Sequence, residues 1–260
     1  MPETDPDNVL REAFAPDILG SVHDFWFSHL SDPSHVVVPG TEDVNVWFVD
    51  KSDEYDNVCR DKFGFILENI ISQQASAEQI LTAANPSTAL EWMTLIILLD
   101  QIPRNCYRGM EAAKVTRIFD PLARAIALKA REQDMHKKPE VRFRLGYRLW
   151  FFMPMEHAED LKMQNLMVEE QKQRFKDMDS LMQDEPDTED DVALSCRSIL
   201  LRRKEEFELC RSVLQKAVDE HYDAIKKFGR FPYRNLALGR TTTIEEQEFL
   251  DTKWLGQSQR

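Results

Sequence analysis

Two arginine-rich turns hold most of the side chains that could bind or transform a ligand. The first covers residues 100–109, Asp-Gln-Ile-Pro-Arg-Asn-Cys-Tyr-Arg-Gly, and the second covers residues 228–240, Phe-Gly-Arg-Phe-Pro-Tyr-Arg-Asn-Leu-Ala-Leu-Gly-Arg. Arginine binds a carboxylate or a phosphate through two parallel N–H groups. The turns therefore indicate a pocket for an anionic or polar ligand. The candidate binding residues in them are Asp100, Gln101, Arg104, Asn105, Arg108, Arg230, Arg234, Asn235 and Arg240.

A third segment places a histidine among acidic residues. On a helix, His157, Asp160 and Gln164 share one face. A neighbouring carboxylate raises the pKa of a histidine and can hold its tautomer, which suits a general base. The alternative is an ordinary helix start, where Glu156 and Glu159 interact favourably with the helix dipole. We take His157 and Glu159 as candidate catalytic residues, and Glu156, Asp160 and Gln164 as candidate substrate contacts.

His221 is the third candidate catalytic residue. It lies on an apolar helical stripe with Val218, Ile225 and Phe228, about two turns before Arg230. A lone histidine on such a stripe is more often a satisfied core residue, so a structural role stays open. A structural role is also open for the arginines, because they can pair with the acids of the three segments, Asp100, Glu156, Glu159 and Asp160.

The elements that carry these residues are predicted to be helices. Apolar residues recur at helical spacing through most of the chain, and no segment shows the strict alternation of a strand. Residues 89–99 are apolar nearly all round, which places them at the centre of a bundle, and Pro103 should break the helix just after them. We predict an all-α fold of about ten helices, forming a single domain over residues 1–260.

Several boundaries follow from the same patterns. Prolines and a glycine indicate a loop, Asp120-Pro121 should interrupt a helix, and a Thr–Glu spacing indicates a capping box. A run of acidic residues indicates a mobile, solvated loop. The predicted features are a loop at 32–45, a broken helix at 112–133, single helices at 142–152 and 193–227, an acidic mobile loop at about 177–192, and a capping box at Thr242 and Glu245.

The totals restrict the class of protein. A formal net charge of −13 argues against non-specific binding to nucleic acid. The four cysteines are scattered without metal-ligand spacing, so we expect reduced thiols, no metal and a cytoplasmic protein. We expect no membrane contact, because there is no signal pattern and no long apolar run. No phosphate-binding glycine loop occurs, and no cofactor is expected.

Four segments of the sequence are similar to one protein family. They are residues 46–63, with Val46-Trp47-Phe48 and Asp56, and residues 95–109, 154–164 and 221–246. On these segments the chain resembles the helical domain-of-unknown-function family nine-two-four of bacteria and fungi, over roughly residues 20–252. The resemblance implies a compact multi-helix bundle of the tetratricopeptide-like superfamily. Tyr233 and Ile102 depart from the histidine and phenylalanine of many relatives, which puts a second basic group at position 233 in doubt.

Fungal arginine-containing cyclodipeptide synthases are similar to this kind of protein. Those enzymes join arginine to a second amino acid from aminoacyl-tRNA and release a diketopiperazine. The resemblance thus implies aminoacyl-tRNA, met at its acceptor end, and amino acids including arginine as partners. The alternative is a non-enzymatic helical module whose arginine-rich pocket binds a phosphorylated or carboxylate ligand.

The resemblance also implies a division of roles. His157 or His221 would accept a proton from the attacking amine. An arginyl side chain or α-ammonium would be held by the acids Asp100, Glu156, Glu159 and Asp160. The tRNA phosphates would be met by Arg104, Arg230, Arg234 and Arg240. The acidic net charge is the main objection from sequence.

Overall fold

Helices account for the regular structure in the part of the chain that the computed structural model describes, residues 6–14, 17–30, 32–49, 52–184 and 190–253. No β-strand occurs in these ranges, so the predicted all-α fold is confirmed. The tetratricopeptide-like assignment stays an implication of the resemblance. The α-helices are α1 Pro6–Ala13, α2 Ile18–Phe27, α3 Ser34–Val37, α4 Thr41–Phe48, α5 Asp53–Ser72, α6 Ala77–Ala84, α7 Ala89–Asp100, α8 Ile102–Cys106, α9 Ala112–Lys114, α10 Asp120–Glu132, α11 Pro139–Arg142, α12 Leu145–Arg148, α13 Met153–Glu156, α14 Leu161–Gln183, α15 Asp191–Arg202, α16 Lys204–Phe228, α17 Asn235–Leu238 and α18 Ile244–Lys253. Short 3₁₀-helices cover Gly109–Glu111, Met135–Lys137, Leu149–Phe151 and Pro232–Arg234, and a π-helical turn covers Val115–Phe119.

Helix α7 lies in the middle of the main hydrophobic core. Its start is fixed by a capping box, because Thr88 Oγ1 accepts a hydrogen bond from the Glu91 N–H and the Glu91 carboxylate accepts one from the Thr88 N–H. Every residue from Trp92 to Asp100 is buried, and α2, α8 and α10 pack around the helix. The central position predicted from the apolar sequence is confirmed.

Pro103 separates α7 from α8. Helix α7 ends at Asp100, and Pro103 stands in the first turn of α8, where its missing N–H costs no helical hydrogen bond. The predicted break is therefore confirmed. Because of this break, Asp100 and Gln101 lie buried between the end of α7 and the start of α8.

The predicted interruption at Pro121 is wrong. The π-helical turn Val115–Phe119 passes directly into α10. In an α-helix a proline ring clashes with the carbonyl four residues earlier, and the wider π turn relieves that clash. The helical path therefore continues, and Asp120 is held buried in the first turn of α10.

Helices α14, α15 and α16 build a second core around Phe175 and Phe207. The predicted single helix over 193–227 is wrong, because Arg203 leaves the helical conformation (φ −106°, ψ 36°) between α15 and α16. The acidic loop is shorter than predicted, because residues 177–183 form the last turns of α14. Residues 185–189 of that loop lie outside the described residues.

Two more boundaries differ from the prediction. Residues 32–45 contain α3 and the start of α4, where the Asp43 carboxylate accepts a 2.7 Å hydrogen bond from the Gly40 N–H. Residues 142–152 form α12 and a 3₁₀ turn instead of one helix. In both places short helical pieces are held by local hydrogen bonds that hydrophobic spacing does not reveal.

The segment 229–253 folds back over the end of α16. Gly229 adopts the left-handed conformation (φ 65°) that ends α16, a backbone geometry that favours glycine. A capping box forms at Thr243 and Glu246, one residue later than predicted. Phe231 and Phe249 close a small apolar cluster with the last turns of α16. Among the described helices, none combines the length and apolar character needed to cross a bilayer.

Candidate functional site

A buried histidine–aspartate pair lies where the end of α7 meets the end of α13. His157 Nδ1 is 2.9 Å from Asp100 Oδ1. Asp100 is fully buried, and the His157 side chain keeps 11% of its surface exposed. The pair joins the first arginine-rich turn to the third predicted segment, which lie 57 residues apart in sequence.

Burial and the charges around this pair favour a neutral histidine with an unprotonated Nε2. Burial disfavours the Asp100 carboxylate, but His157, Arg104 and Gln101 outweigh burial and hold its pKa well below the usual range. Burial and the charge of Arg104 lower the pKa of His157. An ionised Asp100 accepts the Nδ1 hydrogen, which leaves the Nε2 lone pair free to take a proton.

Asp100 also starts a chain of alternating charges. Arg104 Nη2 lies 3.2 Å from Asp100 Oδ1 and 2.7 Å from Asp120 Oδ1. Asp120 Oδ2 is in turn 3.2 Å from Arg234 Nη1. Asp120 therefore bridges the two arginine-rich turns. The sequence pattern predicted Asp120 only as part of a helix break, because nothing in that pattern indicates the contact with Arg234.

A second buried pair lies beside the first. His221 Nδ1 is 3.2 Å from Glu156 Oε1 and 2.8 Å from the Ala217 carbonyl oxygen, and the rings of His157 and His221 have centroids 6.2 Å apart. Burial raises the pKa of Glu156 to about 7 and lowers the pKa of His221 to about 4. A neutral imidazole next to a carboxyl group that titrates near neutral pH can pass a proton in either direction.

Glu159 anchors the second arginine-rich turn. Its carboxylate accepts hydrogen bonds of 2.9 and 2.7 Å from Arg240 and one of 2.9 Å from the Phe231 N–H. Burial works against ionisation, but these hydrogen bonds lower the pKa of Glu159. Both oxygens are occupied, so the geometry suits charge placement better than proton transfer. The predicted catalytic role of Glu159 stays a prediction.

An open cleft of about 430 Å³ adjoins the network. Three of the predicted site residues line it, namely Glu159, Asp160 and Arg240, together with Asp120. His157 lies behind this wall, linked to it through Asp100, Arg104 and Asp120. The complete lining is Thr116, Arg117, Asp120, Pro121, Arg124, Glu159, Asp160, Leu238 and Arg240.

A larger groove of about 980 Å³ runs between α14 and α16. Its charged side chains are partly or fully exposed, and it contains none of the predicted site residues. We therefore place the candidate site at the smaller cleft, where buried ionisable groups with shifted pKa values stand directly behind the wall.

The other predicted residues hold the scaffold. Arg108 makes two 2.8 Å contacts with Asp56 and also donates to Asn105, and none of these three residues lines the cleft. Arg230 pairs with Glu246, which also accepts from Asn235. The remaining predicted residues have internal partners as well: Gln101 donates to Asp100, Gln164 donates to the carbonyls of Met155, Glu156 and Ala158, and Asp160 caps α14 by accepting from the Met163 N–H.

A second buried histidine–aspartate pair provides a comparison within the molecule. His35 Nδ1 and Asp43 Oδ2 are 2.7 Å apart on α3 and α4. Neither residue lines the cleft. Among the described residues, no group of three or more His, Cys, Asp or Glu side chains is arranged to hold a metal ion.

Comparison with known proteins places the chain in an uncharacterised group. The family model described as a bacterial protein of unknown function (DUF924) matches residues 22–253. A solved structure of a protein of unknown function from Agrobacterium tumefaciens is similar, with 25% sequence identity and a TM-score of 0.57. The match covers 91% of this chain and 98% of the other. No curated protein matches the sequence.

Proposed function

The chain belongs to the DUF924 family of bacterial proteins of unknown function, and we propose that it is an enzyme, an arginine-containing cyclodipeptide synthase that uses aminoacyl-tRNA. The buried pair of His157 and Asp100, behind a cleft that carries both arginines and carboxylates, is the observation that supports the proposal most. Arginines suit the phosphates of tRNA, and carboxylates suit the cationic groups of an arginyl substrate.

The reaction consists of two acyl transfers. The α-amine of the second aminoacyl-tRNA attacks the ester carbonyl of arginyl-tRNA, so a C–N bond forms while the C–O bond to the first ribose breaks. The arginyl amine of the resulting dipeptidyl-tRNA then attacks the second ester, which closes the six-membered ring and releases the second tRNA. In each step the nitrogen loses one proton and the departing ribose oxygen gains one. The activated esters supply the driving force, so positioning and proton transfer suffice.

His157 is the proposed base for the attacking amine. Its Nδ1 side is occupied by Asp100, so Nε2 takes the proton and the ionised Asp100 stabilises the imidazolium that forms. Glu156, with its pKa raised by burial to about 7, is the proposed group that returns a proton to the departing oxygen. His221 holds Glu156 in place at 3.2 Å.

The structure favours other arginines for phosphate binding than those that the sequence predicted. Arg104, Arg230 and Arg234 are each engaged with a buried carboxylate, so they are poor candidates for a ligand. Arg117 and Arg124 line the cleft and form no ion pair with a described carboxylate. We therefore assign the phosphate contacts to Arg117 and Arg124, with Arg240 beside them.

The same two arginines support the second candidate function. A non-enzymatic module would use Arg117 and Arg124 to bind a phosphorylated or carboxylate ligand and would leave it unchanged. Such a module has no use for a histidine held in one tautomer. A variant without that histidine therefore separates the two functions.

The test is a coupled synthesis followed by mass spectrometry. Protein, arginine, a second amino acid, tRNA, ATP and a synthetase mixture are incubated with or without ribonuclease. The proposal predicts a cyclic dipeptide that contains arginine and disappears when ribonuclease is added. No product over a panel of second amino acids, from protein that still binds aminoacyl-tRNA, would contradict the synthase and favour the module.

A further inference from the structure

A second group of polar side chains is buried in the interior, away from the cleft lining. Gln171 and Arg174 lie one turn apart on α14, and Arg148 lies on α12. Each is at most 1% exposed. Arg174 and Arg148 rank among the largest fully buried side chains of the molecule, in positions where apolar residues are usual.

Arg148 has one charged partner. Its Nη1 lies 2.7 Å from Asp177 Oδ2 and 3.2 Å from the Arg142 carbonyl oxygen. The two other guanidinium nitrogens, Nε and Nη2, are buried and form no hydrogen bond with a described residue. Arg148 is therefore neutralised by Asp177 but has unused N–H groups that face the interior.

Arg174 has no charged partner among the described residues. Its Nε and Nη1 atoms are buried without a hydrogen-bond acceptor. Two acids, Glu156 and Glu170, act on its charge from beyond ion-pair distance. Both are engaged elsewhere, since Glu156 lies against His221 at 3.2 Å and Glu170 accepts from Arg131 at 2.8 Å. Burial, together with Arg148, lowers the pKa of Arg174 to about 10, so it still carries its charge at neutral pH.

A buried guanidinium without an ion-pair partner is costly, by several kcal/mol as an order of magnitude. A buried water molecule could accept its N–H groups but would leave the charge unbalanced. An anion with several oxygen atoms would accept the N–H groups and would also balance the charge. The Gln171 amide, which has neither of its polar atoms hydrogen-bonded to a described residue, adds a further buried donor one turn away.

We propose that Arg174, Arg148 and Gln171 form an interior binding site for a small oxyanion of the phosphate or sulfate type. Arginine forks bind such an anion through paired N–H···O contacts, and the five buried nitrogen atoms without acceptors, two on each arginine and the amide nitrogen of Gln171, supply the donors. Arg174 interacts electrostatically with Glu156 at the end of α13 and with Cys210 on α16, and none of the three residues lines the cleft. The negative charge of the bound anion would balance that of Arg174, and its hydrogen bonds would link α14 to α12.

The experiment is a calorimetric titration of the folded chain with inorganic phosphate and, separately, with sulfate. Sodium chloride at matched ionic strength is the reference. The site predicts a binding heat that saturates in the titration and a melting temperature that rises with the logarithm of phosphate concentration above the dissociation constant. A rise in melting temperature that chloride reproduces, or a titration heat that never saturates, overturns the proposal.

The variants locate the binding. Arg174→Met removes the charge at similar volume, should keep or raise stability without phosphate, and should lower phosphate affinity at least about tenfold. Gln171→Leu, which leaves every charge in place, should lower it several-fold and remains informative if Arg174→Met fails to fold. Arg211→Met is the matched control, because Arg211 pairs with Asp179 on the neighbouring surface and is partly exposed. Equal affinity of Gln171→Leu or Arg174→Met and wild type overturns the assignment, as does a loss of binding in Arg211→Met.

Discussion

At the scale of single residues, the proposed catalytic role of His157 depends on Asp100. Replacement of Asp100 by Asn keeps the shape of the site, but the amide NH2 group can donate a hydrogen bond to Nδ1 of His157. That bond favours the tautomer with its hydrogen on Nε2, which cannot accept a proton there. Turnover should fall about 10³- to 10⁴-fold, as expected when the carboxylate that orients a catalytic histidine is lost. Arg104 keeps Asp120 at 2.7 Å, so the chain should still fold.

The check is kcat/KM for cyclic dipeptide formation, measured together with the melting temperature. Asp43→Asn is the matched control, because it alters the other buried histidine–aspartate pair away from the cleft. Turnover within about tenfold of wild type in Asp100→Asn would show that the pair does not direct proton transfer.

Glu156 predicts a pH dependence of stability. Burial raises its pKa from 4.5 to about 7 in the folded chain. Between these values the folded chain binds a proton that the unfolded chain has lost, so the stabilisation is full at acidic pH and is lost as the pH rises to 7. His221 acts in the opposite sense, because burial lowers its pKa from 6.5 to about 4 and its stabilisation is lost as the pH falls through that interval.

Glu156→Gln removes the first effect and leaves the second. The increase in unfolding free energy from about pH 4.5 to about pH 7.5 should then exceed that of wild type by about 3 kcal/mol. Urea unfolding at the two pH values measures this difference. Identical increases in the variant and wild type would show that Glu156 is not protonated in the folded state near neutral pH.

At the scale of elements, one ion pair holds the segment 229–253 against the start of α14. Arg240 makes two contacts with Glu159, the residue that also accepts from the Phe231 N–H. Charge-assisted hydrogen bonds contribute about 1.5–3 kcal/mol when partly buried. Arg240→Met should therefore speed amide hydrogen exchange in this segment about tenfold or more while the centre of α7 stays protected.

Lys227→Met is the control for that experiment. Lys227 pairs with Glu245 at 2.8 Å on the exposed surface, and such pairs contribute little. Unchanged exchange in Arg240→Met, or equal acceleration in the two variants, would contradict the anchoring role of Glu159.

The elements show which boundaries a sequence can reveal. The apolar run of α7 is a local signal, and it led to a correct prediction. The break at Arg203 has no glycine or proline to announce it. At Pro121 the local rule predicted a break that the π turn avoids, and Thr243 replaced Thr242 as the cap by a shift of one residue.

At the scale of the whole molecule, the proposed binding of tRNA must overcome a net charge of −13. The cleft is locally balanced, with Arg117, Arg124 and Arg240 against three acids. If Arg124 meets a phosphate, Arg124→Ala should weaken tRNA binding and reduce the slope of log affinity against log salt by about one. Arg202→Ala, an exposed arginine outside the cleft, should leave the slope unchanged. A filter-binding series over several salt concentrations tests both, and equal slopes for Arg124→Ala and wild type would reject this assignment.

The sequence indicated which segments come together, but not which of their side chains line the cleft. The three segments do meet, as the pairs of His157 with Asp100 and Arg240 with Glu159 show. Asp120 was missed because its partner Arg234 lies more than a hundred residues further along the chain. Arg108 was assigned to the ligand, yet its fork is filled by Asp56. Sequence spacing shows which side chains could bind an anion, whereas tertiary packing determines which of them already pair with a carboxylate of the protein.

The most direct measurement is single-turnover formation of the cyclic dipeptide from purified arginyl-tRNA and a second charged tRNA, with His157→Gln beside wild type. His35→Gln is the matched control from the other buried pair. A base in the rate-determining step predicts a loss of about 10²- to 10⁴-fold in His157→Gln, with tRNA affinity and melting temperature close to wild type and His35→Gln fully active. Equal rates for His157→Gln and wild type, or no cyclic dipeptide from wild type that binds both charged tRNAs, would contradict the account.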